Sequence, residues 1–464
     1  MKKRLKQKSH KKDSSKCIVN ARVVPQLVVF TQLGCFRNTV DGEIMLAKLL
    51  EEGFILCTER EKADILIINT CGFIKEAKEE SIAVIAENFE VKKKDAKVII
   101  CGCMVSLYLE ELKKLFPEAH FYLGPGDIQK IVKACNATSK GEYVSNVKSY
   151  LGNLDDKRFL ITPSHFSYLK IAEGCRKKCS YCAIPMIKGP LKSKSFSHVI
   201  SEFKSLLDCG VFEIILIAQD LGDYGYDFKR KNGLVNLLKE FLKVKQEFWL
   251  RLLYLYPDEI TSELVDLLAQ DKRLCPYLDM PIQHVNDRIL KSMRRRVNKA
   301  GIVKTIEMLR TKIPDIVLRT SFIVGFPSET EEEFEELLQF ARDYAIDYAG
   351  IFKFSREKHT KAYNFVGQLS EEVKEERYQR LAILQKEIML KKHKKLIGTK
   401  RQVIIDGFHN DSNRLFVARS QYLAPDIDPL IIINDCKSRK LKSGDICQVK
   451  ITGNLEYDLI ACID

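Results

Sequence analysis

The 464-residue chain has no apolar run approaching the ~18 residues that a membrane-spanning helix requires, which argues against a transmembrane protein. It also lacks a recognisable secretory leader, so the expected setting is the cytoplasm, where glutathione keeps thiols reduced and disfavours a disulfide framework for its 15 cysteines. Around its densest cysteine run there is neither the second cysteine pair nor the histidine cluster that would complete a four-ligand zinc site. What remains is 45% apolar and 30% charged residues, ordinary for a folded protein of roughly two to four domains.

The formal charge of +14 is unevenly spread. Residues 2–16 hold eight Lys and Arg against Asp13 alone, so about half of the excess sits in one polar arm. Such an arm is expected to be disordered; it suits phosphate contact with RNA without sequence readout, and equally a solvated tail.

Cys175, Cys179 and Cys182 stand in a Cys-x3-Cys-x2-Cys spacing just after a strand-like segment. A [4Fe-4S] cube takes four ligands, so three thiolates from a compact loop leave one iron open to a substrate or cofactor. Buried structural cysteines and zinc are the plainer readings, and the spacing favours the cube.

Three more cysteines follow short β-branched runs near the N-terminus. Runs at 26–30, 64–68 and 97–100 alternate with helical stretches, a pattern expected of a parallel α/β sheet. Cys35, Cys71 and Cys103 lie just beyond them, where loops at the carboxyl edge of such a sheet gather ligands. They are expected to hold a second cube. Cys101 competes with Cys103, but Cys101 continues the strand whereas Cys103 falls in the turn before the next helix.

Further strand-like runs at 168–172, 213–217, 248–253, 277–280, 316–324 and 348–354 alternate with helices and suit a partial (βα)6 barrel. The cysteine loop follows the first run, so Gln219 and Asp220, then Gln283 and His284, are candidates for a pocket facing it; as helix caps they would have a purely structural use. Glu173 and Arg251 are weaker candidates. A charged helix over 370–395 leads to short strands and turns over 396–464, consistent with a small β-barrel whose nine Lys and Arg balance nine Asp and Glu.

These motifs, in the segments 33–41, 69–82, 170–185, 216–220, 281–284 and 422–428, resemble the methylthiotransferases of the radical S-adenosylmethionine (SAM) superfamily over residues 26–464. The resemblance implies an N-terminal cluster domain (26–140) after the tail (1–25), a radical SAM barrel with its linking helix (160–395) and a C-terminal TRAM β-barrel (396–464). It implies two [4Fe-4S] clusters and SAM as cofactors, the second cluster binding SAM. Tyr181 and the segment around Gly325 look like the parts that flank the SAM site. Two SAM molecules would be used, one as methyl donor and one cleaved to a hydrogen-abstracting radical.

Within the family the pattern is similar to the branch that methylthiolates the β-carbon of an aspartate on small-subunit ribosomal protein number twelve, with flavodoxin or ferredoxin as reductant. The neutral C-terminal domain favours that basic protein target over tRNA. A tRNA adenosine methylthiotransferase and a non-catalytic iron-sulfur carrier are the alternatives. Lys188, Lys192 and Lys194 stand where that branch favours Arg, and residues 221–223 and His359–Thr360 replace its usual turns.

Overall fold

The computed structural model describes residues 25–146, 148–409, 412–436 and 440–464. The basic tail expected over residues 1–25 lies, Pro25 apart, outside the described residues. The first unit runs β1 (Leu27–Gln32), α1 (Phe36–Glu51), β2 (Ile55–Leu56), β3 (Ile65–Thr70), α2 (Lys75–Val91), β4 (Lys97–Gly102), α3 (Cys103–Leu115), β5 (Phe121–Leu123), α4 (Ile131–Asn136) and β6 (Gly141–Tyr143). Its sheet is wholly parallel in the order β2-β1-β3-β4-β5-β6. All six residues of β3 are buried, as a central parallel strand covered on both faces requires. The strand order reverses between β1 and β3, opening the crevice in which such sheets bind ligands. The two- and three-residue strands β2, β5 and β6 are too short to leave an alternation in the sequence.

The second unit comprises β7 (Phe166–Lys170), β8 (Ala172–Glu173), α5 (Ile184–Lys188), β9 (Lys192–Ser193), α6 (Phe196–Asp208), β10 (Glu213–Ile217), α7 (Gly233–Phe241), β11 (Trp249–Leu252), α8 (Ser262–Gln270), β12 (Leu274–Asp279), α9 (Asp287–Ser292), α10 (Lys299–Lys312), β13 (Val317–Val324), α11 (Glu331–Tyr344), β14 (Tyr348–Lys353) and α12 (Glu371–Leu396). Six parallel strands, β7 and β10 to β14, pair in chain order and form an open barrel. The run expected over 168–172 divides: β7 ends at Lys170, and Ala172–Glu173 turn away to pair with Lys192–Ser193. That small ribbon forms the neck of the cysteine loop. Ser370 caps α12, its hydroxyl accepting from the Val373 N–H at 3.4 Å.

The last strands, β15 (Lys400–His409), β16 (Ser412–Arg419), β17 (Ile431–Asp435), β18 (Ile446–Leu455) and β19 (Asp458–Ile463), close into a five-stranded barrel. One apolar cluster joins all three units: Val40 and Ile44 of α1, Phe166, Tyr168, Ile215 and Trp249 of the central barrel, and Ile404 and Ala424 of the last domain. Beside it runs a buried ionic chain. Glu213 accepts from Arg251 Nε at 2.7 Å and from Arg419 Nη1 at 2.6 Å, while Arg419 Nε donates to Asp406 at 2.8 Å.

Burial alone would raise the pKa values of Glu213 and Asp406; the two guanidiniums override it for Glu213, as His165 and Arg419 do for Asp406, and both carboxyls are held below their usual range. A carboxyl depressed on folding stabilises above its unfolded pKa, and that contribution fades as pH falls through the folded value. Acid should therefore loosen the last domain from the barrel. The single tryptophan, Trp249, lies in the shared cluster, so its emission is expected to shift to the red as pH drops below the carboxylate range. An unchanged spectrum down to the acid limit of folding would contradict this.

Candidate active site

Cys35, Cys71 and Cys103 converge at the carboxyl edge of the N-terminal sheet. Cys35 is the extended residue capping α1, with φ −88° and ψ 166°, and Cys103 is the first residue of α3. Cys71 lies between β3 and α2, beside Gly34: a Cβ added at Gly34 would fall 3.3 Å from the Cys71 sulfur, and its φ of +86° itself favours glycine. The electrostatic neighbours of Cys103 include both Cys71 and Cys35. Cys101 points the other way, into the core, where its sulfur lies 3.5 Å from the Ile68 carbonyl and shares a cluster with Cys135.

The loop between β8 and α5 brings Cys175, Cys179 and Cys182 together, each within electrostatic reach of the others. The Lys177 N–H donates to the Cys175 sulfur at 3.4 Å, and the Cys179 sulfur is 3.8 Å from the Tyr256 hydroxyl. Burial pushes Cys103 and Cys182 up to about 12 and Cys175 up to about 11. These thiols stay protonated until a positive centre displaces the protons, so loading metal releases acid.

Among the barrel's buried polar atoms, several have no hydrogen-bond partner: Gln219 Oε1, Gln283 Oε1, His284 Nε2, and Nε and Nη1 of Arg295. Arg295 is stacked 3.9 Å over the Tyr256 ring and tied through Nη2 to the Pro281 carbonyl at 2.6 Å. Gln283, at φ +81°, sits where β12 hands over to the next loop, and Gln219 donates to Glu173. Burial pushes His284 down to about 4, leaving a neutral imidazole that accepts from the Asn286 N–H at 3.0 Å through Nδ1. Asp220 caps the following turn, accepting from the Gly222 N–H at 3.1 Å. Orphaned acceptors and a cation are the groups that a ligand bearing both an ammonium and a carboxylate would take up, as SAM does.

No three cysteine sulfurs among the described residues lie within 4.8 Å of one another. A tetrahedral zinc with Zn–S bonds of about 2.3 Å would hold its sulfurs about 3.8 Å apart. Neither triad is drawn in as tightly as a bound zinc ion would hold it. The described group that does converge is Asp220, Asp223 and Glu259, and it is bound to Lys177 and Arg176, with Lys177 Nζ 2.5 Å from Glu259.

Asp41 and Arg37, which sequence reasoning passed over, lie with Lys170 and Lys188 where the first two units meet. Asp41, on the barrel-facing side of α1, is buried and paired with Lys170 and with Lys188 at 2.9 Å; Lys170 also holds Glu173 at 2.8 Å. Lys188 has Cys103 among its charge neighbours. Arg37 Nη1 donates to the Ala218 carbonyl, at the end of β10, at 3.0 Å. Asp41 and Arg37 stand in the quoted segment 33–41, but a pairing across more than a hundred residues leaves no periodicity to read.

Other candidates fall elsewhere. Arg251 serves the last domain: besides Glu213 it donates to the Gln421 carbonyl at 2.8 Å, away from the cysteine loop. Lys194 pairs with Glu202, and Lys192 is exposed in the ribbon. Gly325 faces α12, where an added Cβ would lie 2.4 Å from the Lys374 side chain; its φ is +74°. Tyr181 packs beside Met293 and Phe326. His359 stands edge-on to Tyr108, 5.5 Å between ring centroids, in a groove of about 820 Å³ between α3 and the loop after β14.

A family model described as the radical SAM superfamily matches residues 169–341, and one described as a TRAM domain matches 397–463. Residues 27–124 match one described only as uncharacterized protein family UPF0004. Among solved structures, the radical SAM methyltransferase TsrM from Kitasatospora setae, with cobalamin and a [4Fe-4S] cluster bound, superposes with a TM-score of 0.55 at 16% identity, over 73% of this chain and 77% of that one, a likeness of fold. Barrel, cysteine loop and family match together define a radical SAM enzyme, with an iron-sulfur cluster and SAM as its cofactors.

Similarity over nearly the whole length narrows the class. The "Ribosomal protein uS12 methylthiotransferase RimO" of Protochlamydia amoebophila is 51% identical over 93% of this chain and 91% of its own length. Proteins of the same name from Chlamydia felis and Bdellovibrio bacteriovorus are 48% and 41% identical, over 93% of this chain and 94% and 96% of theirs. The chain belongs to the RimO family of radical SAM methylthiotransferases.

Proposed function

We propose that this protein methylthiolates the β-carbon of an aspartate on ribosomal protein uS12, in the cytoplasm, with two [4Fe-4S] clusters, the first held by Cys35, Cys71 and Cys103 and the second by Cys175, Cys179 and Cys182. The observation that supports the reading is two cysteine triads carried by separate α/β units that pack on each other through α1 and β7. When bound, the clusters and SAM supply methyl transfer, sulfur and the hydrogen abstraction that an unactivated C–H bond requires. Gln219, Gln283 and Arg295 offer the unpaired groups to orient SAM, and Tyr181 and Tyr256 shield the loop from water.

Target choice rests on charge. The last domain is neutral overall, which favours a basic protein partner over a phosphate backbone. The tail is assigned to ribosomal RNA contact, and a flavodoxin or ferredoxin to electron supply. The groove lined by Tyr108 and His359 gives a target loop a route between the first two units. Purified, reconstituted protein should methylthiolate uS12 and leave tRNA unmodified; methylthio-adenosine with untouched uS12 would overturn the target assignment.

Anaerobically reconstituted protein should carry about eight irons per chain. Cys103→Ala is expected to lose about half of them and Cys101→Ala to keep them all, measured as iron and sulfide. The reverse pattern would reassign the first site.

A further inference from the structure

Between the two triads the charges are nearly all matched. Lys170 and Lys188 are paired with Asp41 and Glu173. Arg37 differs. Its one hydrogen bond among the described residues goes to the Ala218 carbonyl, and no carboxylate forms a salt bridge with it there. The guanidinium is half-buried, 4.9 Å over the Phe36 ring and 5.4 Å from the Tyr254 ring, so that it is sandwiched between α1 and the loop leaving β11. Tyr254 adopts φ +75°, a conformation an aromatic residue takes only at a cost, and one that the packing at this site must enforce.

Arg37 thus crosses from the first unit to the second. Its charge neighbours include Cys35 and Cys103 of the N-terminal triad, and it is in turn a charge neighbour of Cys182 in the barrel triad. Tyr254 likewise neighbours Cys182.

We propose that Arg37 is a positioning residue shared by both triads, an unpaired cation clamped by Phe36 and Tyr254 that raises the reduction potential of both clusters together. The inference rests on the two-cluster reading above. Reduction adds negative charge to a cube, and a fixed cation nearby in a poorly solvated site favours the reduced form; net charge around a cluster is one of the levers on its potential. A cation serving two centres would keep their potentials from drifting apart as α1 and the barrel settle against each other.

The test uses full-length reconstituted protein carrying Arg37→Met or Arg37→Gln, which remove the charge, and Arg37→Lys, which keeps it. Each is also made in the Cys103→Ala and Cys179→Ala backgrounds, so that one cluster is read at a time by electron paramagnetic resonance at set potentials. The expected result is a tenfold or larger fall in the reduced-to-oxidised ratio of both clusters, at fixed potential, for Arg37→Met and Arg37→Gln, with most of it restored by Arg37→Lys. The barrel cluster decides, because its cysteines lie on a different unit from Arg37. If only the N-terminal cluster shifts, or neither does, the shared role is overturned. Wild-type protein binding only about four irons would instead sink the two-cluster reading, whatever the variants do.

Discussion

Cys179→Ala is expected to abolish reductive cleavage of SAM while the absorbance of the N-terminal cluster persists, with iron falling from about eight to about four per chain. Cys179 is the central thiol of its loop, 9% exposed, 3.8 Å from the Tyr256 hydroxyl and electrostatically coupled to both Cys175 and Cys182. Alanine leaves that corner without a ligand, and the nearest polar groups, Tyr256 and Arg295, are poor substitutes for a thiolate. The N-terminal triad sits on a different sheet edge and should load independently. The check is 5′-deoxyadenosine formation under strong reductant, beside iron and sulfide content. Full retention of cleavage would remove the barrel loop from the cluster assignment, and loss of both clusters together would show that the two sites are not separate.

Glu213→Gln should cost the most stability of any single change at the interface with the last domain. Glu213 is fully buried and accepts from two guanidiniums, Arg251 and Arg419, themselves almost wholly buried. Neutralising it leaves Arg251 with no carboxylate and Arg419 with Asp406 alone, and removing one partner of a buried pair costs about 3–5 kcal/mol. The expected result is a clear fall in the melting temperature, seen by calorimetry and by Trp249 emission. Glu335→Gln, which breaks an exposed contact with Arg380, should cost under about 1 kcal/mol. Equal melting points for the two variants would mean that the buried chain of charges contributes no more than a surface pair.

The unequal effects expected at Glu213 and Glu335 follow from surroundings that the sequence does not display. Both are glutamates; Glu213 opens a run that reads correctly as a strand, yet its burial between two domains arises only when Arg419, 206 positions away, folds back onto it. Arg251 shows the same limit from the other side. Its place in a barrel strand was legible, but its direction was not, because inward-facing residues near the two ends of a barrel strand look alike in sequence while one end meets the cysteine loop and the other the last domain. At Gly325, a positive φ and the Lys374 side chain account for the glycine, a packing demand that a motif alone does not separate from ligand approach.

Local chemistry was different. The spacing of Cys175, Cys179 and Cys182, and the positions of Cys35, Cys71 and Cys103 at strand-to-helix junctions, are set by a few neighbouring residues, so the chain itself determined the three-part architecture and where its thiols gather. Register separates Cys101 from Cys103, since a residue continuing a strand points into the core and one opening a helix does not. Tertiary structure alone decided what stands between the triads. Arg37, Asp41 and Lys188 acquire their partners across the packing of α1 on β7, and contacts so distant along the chain are fixed by burial and shape, which no local pattern encodes.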